Sequence, residues 1–134
     1  MTDGPGPRRQ APRPQPRPTG LASPVKAWFA ARGWEVRAHQ LAMVEAARAG
    51  AHALLVAPTG AGKTLAGFLP VLDAAAREGS GRPHRLRAVY VSPLKALAAD
   101  IARNLTGPIA GMGLALRVEG RTGDTPAERK DHQQ

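Results

Sequence analysis

The chain has 134 residues, no cysteine and a formal net charge of +9 at pH 7, with a sequence pI near 11.4. That length fits one small domain, and the lack of cysteine excludes both a disulfide framework and a Cys-based zinc site. The charge favours polyanions such as nucleic acid; but arginine outnumbers lysine 15 to 4, a bias that genomic base composition also produces, so charge alone does not define the partner.

Residues 1–20 hold six of the 13 prolines and four arginines against one Asp. With almost nothing apolar to bury, they read as a disordered, basic, PPII-leaning tail. The opening MTDGPGPRRQAPRP lacks the apolar stretch of a secretory signal. No later apolar run approaches the roughly 20 residues of a spanning helix, so a soluble protein of the bacterial cytoplasm or nucleoid is expected.

From Leu21 the pattern changes. SPVKAWFAARGW predicts a short helix with Ser23 as N-cap, Pro24 at its first position and Gly33 as its stop. Val25, Trp28 and Phe29 fall on one face, and Trp28, Phe29 and Trp34 are expected as core aromatics. Ala38 to Ala49 places Leu41 and Val44 at helical spacing before Gly50, a second helix. AHALLVAP, at 51–58, is a short unbroken apolar run and reads as a strand buried on both faces. Lys63 to Glu78 carries Leu65, Phe68, Leu69 and Leu72 at helical spacing, with Pro70 expected to kink the helix.

RAVYVS at 87–92 predicts a second buried strand, followed by a helix from about Leu94 to Leu105. LALRVE at 114–119 predicts a third strand and RTGDT a loop, and Pro126 opens a further helix. Strand and helix alternate throughout, which argues an α/β fold with an open, mostly parallel sheet.

The chemistry begins at APTGAGKT, residues 57–64. Gly60 and Gly62 allow successive N–H groups to turn inward on phosphate oxygens, Lys63 adds a charge for the β- and γ-phosphates, and Thr64 offers a hydroxyl to Mg²⁺. The helix behind the loop turns its positive end to the same anion. Thr59 and Ala61 complete the loop. Ala57 stands where the strict pattern has glycine, so the loop must start in a conformation open to an L-residue.

Two flanking stretches narrow the choice. In Arg37-Ala38-His39-Gln40, an amide can pair with the N6 and N7 edge of adenine while a guanidinium stacks on the base, a combination that selects ATP over GTP. In VYVSPLKALAAD, Ser92 and Lys95 at a helix start suit a nucleic-acid phosphate, although Ser92 also suits a plain helix cap. Thr122 and Gly123 in RTGDT form a similar candidate contact.

The A-x-T-G-x-G-K-T loop is similar to the first motif of superfamily 2 helicases, the R-x-x-Q spacing to their adenine-reading motif, and VYVSPLK to their motif Ia. Taken in order, WFAARGW, RAHQLAMVEAARAG, APTGAGKTLAGFLP, YVSPLKALAADIARNL and RTGDTPAER resemble the opening of the Lhr-type DEXH-box helicases, most closely the ligase-associated DNA-damage-response branch. The resemblance spans about residues 21 to 130. It implies a partial RecA-like P-loop NTPase domain at 21–134 belonging to an ATP-dependent 3′-to-5′ DNA translocase, with a second RecA-like domain, a winged-helix domain and a further body domain elsewhere. It also implies ATP and Mg²⁺ as cofactors, DNA as partner, a DNA-repair role and, by family association, a DNA ligase. By carry-over, Arg37 and Gln40 would contact adenine, Thr59 to Thr64 the phosphates and Mg²⁺, and Ser92, Lys95, Thr122 and Gly123 the tracking strand.

The hydrolytic half of such a site needs an apolar strand ending in D-E-x-H, with Asp on Mg²⁺ and Glu on the attacking water. No two acidic residues are adjacent here. Asp73 falls inside the helix after the loop, and Glu119 follows a run interrupted by Arg117, so neither substitutes. The expectation is a fragment that ends before its acidic motif and has no catalytic residue of its own. The alternatives are an inert module holding ATP or DNA, or another P-loop NTPase such as a small kinase. None of the four histidines has ligand spacing or a catalytic setting.

Overall fold

A computed structural model of the chain describes residues 20–60, 62–79, 81 and 85–123. The basic tail at 1–19 and the helix expected after Pro126 lie outside the described residues. Four helices form in chain order: α1 (Ser23–Ala31), α2 (Ala38–Arg48), α3 (Lys63–Glu78) and α4 (Lys95–Gly111).

The expected helix positions hold, with differences at their ends. α1 begins one residue early: Ala22 is its N-cap, Ser23 is helical, and no side chain caps it. Its stop is the expected one. Gly33 takes φ +63°, its N–H donates to the Ala30 carbonyl, and the Trp34 N–H donates to the Phe29 carbonyl, the paired bonds of a Schellman motif. The same pair of bonds closes α2 at Gly50 and α4 at Gly113. α3 runs through Pro70 without a break, and α4 runs through Pro108 to Gly111, six residues beyond the expected end at Leu105. A proline near the end of a helix removes one hydrogen bond, and the Schellman bonds at Gly113 hold the turn that follows it.

The core lies among the helices. Val25, Trp28 and Phe29 of α1 pack with Val44 of α2 and with Leu69 and Leu72 of α3. Leu21, Ala22 and Met112 join the same cluster. α3 contacts both α1 and α2, and Ile101 and Leu105 bury the inner face of α4. Trp28 and Phe29 are therefore core aromatics as expected, whereas Trp34 is not: it is 54% exposed and meets the Trp28 ring edge-on at 5.7 Å. The reversal at Gly33 takes Trp34 off the helical period, so its spacing from Trp28 no longer sets its face.

The three expected strands do not form among the described residues, and the runs at 51–56, 87–92 and 114–119 join no sheet ladder. Leu54 (89% exposed), Val56, Val89 and Val91 stand in solvent where burial on both faces was expected. The physical reason is that a strand is stabilised by the strand beside it and not by its own sequence. These runs do not pair with one another; Leu114 and Leu116 of the third rest partly buried against the helical core, while the side chains of the first two stay largely in solvent. No helix among the described residues is long and apolar enough to cross a membrane.

Candidate nucleotide site

The P-loop residues meet the start of α3. Gly62 is the N-cap of α3 at φ +74° and Gly60 has φ +81°, both in the left-handed region, so the loop needs glycine at each. A Cβ built on Gly62 would come within 2.8 Å of the Gln40 amide nitrogen. Lys63 is the first residue of α3, and its Nζ donates to the Ala57 carbonyl at 2.6 Å across the loop. Thr64 follows, exposed on the first turn. Thr59 is exposed and Ala61 lies outside the described residues. Donor groups, a cation and a hydroxyl thus converge at the positive end of a 16-residue helix, a chemistry that fits a polyphosphate with its Mg²⁺.

The start of α2 is bonded directly to this loop. Arg37 is the α2 N-cap, and its backbone N–H donates to Gln40 Oε1 at 2.9 Å. Arg37 Nη1 donates to the Gly60 carbonyl at 3.3 Å, and Gln40 Nε2 reaches the Gly62 carbonyl at 3.5 Å. Gln40 is only 4% exposed, so its amide ties the helix start to the loop, with one N–H and one lone pair left over. Arg37 is exposed.

Arg37, Gln40, Gly60, Gly62 and Thr64 line a single open cleft of about 1130 Å³. The rest of its lining was not foreseen from sequence: it includes Arg32 and Trp34 from the end of α1, and Leu97, Asp100 and Asn104 from α4. The Arg32 guanidinium sits 3.9 Å over the Trp28 ring, where a cation is attracted by the aromatic face. Arg32 follows Trp28 by four residues in WFAARGW, a spacing that places both on one helix face and was the available signal.

The nucleic-acid candidates do not line this cleft. Lys95 is the first residue of α4 and is exposed. Ser92 lies three residues earlier and is not the helix cap, a position Leu94 holds; its Oγ accepts the Leu94 N–H at 3.3 Å and closes a local turn instead. Thr122 and Gly123 are exposed beyond the 114–119 run. Among the described residues no group of three or more His, Asp or Glu side chains is placed to hold a metal ion.

A phosphate loop, a helix behind it and an amide-bearing helix beside it define the P-loop nucleotide-binding class. The family model for the DEAD/DEAH box helicase matches residues 37–134. The chain therefore belongs to the DEAD/DEAH box helicase family. It is 45% identical over 95 residues to the Lhr helicase/uracil glycosylase of Escherichia coli, a match covering 59% of this chain and 6% of that protein. It is 36% identical over 124 residues to the ATP-dependent helicase Lhr-Core protein 2 of Thermococcus barophilus, covering 82% of this chain and 14% of that one. These relatives bear out the likeness to Lhr-type helicases. Among solved structures, the DUF1998 helicase MrfA bound to DNA and AMPPNP superposes with a TM-score of 0.69 at 32% identity, over 87% of this chain and 16% of that one. That agreement supports the RecA-like helicase-domain fold. The chain thus spans a small part of the length of each of these proteins.

Proposed function

We propose that residues 21–134 are the N-terminal part of the first RecA-like domain of an ATP-dependent DNA helicase, preceded by a basic tail. Unpaired among the described residues, the three apolar runs would be strands of a mostly parallel sheet in the whole domain. The observation that carries this is the single cleft in which Arg37 and Gln40 face Gly60, Gly62 and Thr64. In this reading the loop N–H groups from Thr59 to Thr64, Ala61 included, grip the ATP phosphates. Lys63 leaves the Ala57 carbonyl for the β- and γ-phosphates, and Thr64 holds Mg²⁺ through its hydroxyl. When bound, Mg²⁺ neutralises charge on the phosphate oxygens. Arg37 and the remaining N–H and lone pair of Gln40 read adenine.

Ser92, Lys95, Thr122 and Gly123 are the residues assigned to the DNA backbone, and the DNA-bound helicase neighbour supports that partner. A role in DNA repair, the ligase-associated branch and a ligase partner are the finer part of the same proposal, carried by the likeness of the ordered motifs. The catalytic acids are assigned elsewhere, because no two acidic residues are adjacent in the sequence. That same observation favours a second reading, in which this chain binds ATP or DNA without turning ATP over.

The test is nucleotide titration of the chain with and without Lys63→Ala, followed by ATP turnover with and without single-stranded DNA. ATP binding that Lys63→Ala abolishes supports the site, and unchanged affinity removes the loop from it. Robust DNA-stimulated hydrolysis by this chain would overturn the assignment of the catalytic acids elsewhere.

A further inference from the structure

Asp73 is the one buried charged side chain among the described residues, 2% exposed in the middle of α3. No phosphate, base or nucleic-acid contact described above uses it. Its Oδ1 accepts the Ala22 N–H at 2.7 Å. Its Oδ2 accepts Arg48 Nη2 at 2.6 Å and Arg77 Nε at 3.0 Å. Both arginines also donate to the Gly20 carbonyl, at 2.6 and 2.7 Å. A carboxylate and two guanidinium groups therefore hold residues 20–22 from both sides, tying the start of α1 to the ends of α2 and α3.

α1 then carries this anchor to the cleft. It is nine residues long, and at about 1.5 Å per residue it spans roughly 13 Å before the Gly33 turn delivers Arg32 and Trp34 to the cleft wall. α1 has no side-chain cap of its own; the Asp73 carboxylate holds the Ala22 N–H at its start, beside the Val25 and Lys26 N–H bonds to the Ala22 carbonyl. The helix is tied at one end by Asp73 and ends at the other in the lining of the cleft that Arg37 and Gln40 share.

We propose that Asp73 is a positioning residue for the base of the bound nucleotide, acting through residues 20–22 and α1 on the Arg32–Trp34 wall of the cleft. This rests on the nucleotide reading of that cleft. The phosphate loop does not depend on the clasp in the same way, because Lys63, Gly60 and Gly62 are bonded to Ala57, Arg37 and Gln40. Loosening the clasp should therefore weaken recognition of the base and spare recognition of the phosphates.

The experiment is calorimetric titration of the full chain with ATP, GTP and inorganic tripolyphosphate, comparing the unaltered protein with Asp73→Asn. An Asn can still accept the Ala22 N–H but presents its NH₂ to two guanidinium groups, which opens the clasp. Arg77→Gln is the second variant: Arg77 lies on the outer side at 30% exposure, and the variant tests the clasp where Asp73→Asn does not fold. The expected result is an ATP affinity lower by about tenfold, equivalent to roughly 1.4 kcal/mol, with tripolyphosphate affinity unchanged and the ATP-over-GTP preference reduced. Arg77→Gln should shift the same ratio by less. Equal losses for ATP and tripolyphosphate would show a purely structural role and overturn the proposal, as would an unchanged ATP-to-GTP ratio in both variants. An unaltered protein that binds none of the three ligands overturns the nucleotide reading and this inference with it.

Discussion

The helical layer and the apolar runs at 51–56 and 87–92 have similar sequence signals and opposite fates. Leu69 and Leu72 in α3 are almost wholly buried, whereas Leu54 and Val91 are more than four-fifths exposed. The helices close their own hydrogen bonds along the chain and need a neighbour for one face only. A strand needs neighbours for its backbone as well as its side chains, so an apolar run without one stays in solvent. Hydrophobicity reports that a segment has a partner, and its period reports whether the segment can form before the partner is met.

Truncation separates the two regions most strongly. Leu69→Ala should destabilise the folded chain by about 2–5 kcal/mol, since it opens a cavity between α1, α2 and α3, whereas Val91→Ala should stay within about 0.5 kcal/mol. Urea unfolding followed by circular dichroism measures both. Equal effects at the two positions would mean that the runs are packed in solution and would erase the contrast.

Acid should act on the helical layer through Asp73. Burial by itself would raise the Asp73 pKa, but the Arg48 hydrogen bond, the Ala22 N–H, the Arg77 hydrogen bond and the Arg48 charge together hold it below the ordinary 3.8. A carboxyl with a depressed folded-state pKa stabilises the fold above its unfolded value, and that stability is lost as pH falls through the folded value. Thermal melts from pH 6 down to pH 2 should therefore show a loss beginning near the ordinary carboxylate pKa of about 4 that is absent from Asp73→Asn. Identical pH profiles for the two proteins would remove the clasp from the stability of the layer.

A more local effect is expected at the junction of the two regions. Gly62→Ala forces an L-residue to φ +74°, a conformation costing about 1–2 kcal/mol, and drives its Cβ toward the Gln40 amide. The same unfolding assay should register that loss, and nucleotide titration should register a weaker phosphate grip. Full affinity with a normal melt would mean that the loop does not need its left-handed turn.

Much of the site was legible because its parts are local. Gly60, Gly62, Lys63 and Thr64 act through a loop and the helix behind it, so their order in the chain already fixes their relation. Arg37 and Gln40 were legible as a pair, though not as a pair bonded to the Gly60 and Gly62 carbonyls, since those contacts span 23 and 22 residues. The end of α4 was less legible, because the Schellman bonds at Gly113 that close the helix form only once its turn exists.

The sequence by itself determined where the four helices lie, the glycine stops of α1 and α2 and the phosphate loop, because each depends on hydrogen bonds and dihedral preferences within a few residues. Only the tertiary structure decided that Trp34 faces a cleft, that Asp73 is the centre of a clasp and not a surplus acid, and that the apolar runs stay unpaired. Those outcomes depend on which distant groups meet, and no local pattern encodes the distance between Gly20 and Arg77 or the neighbour of a strand.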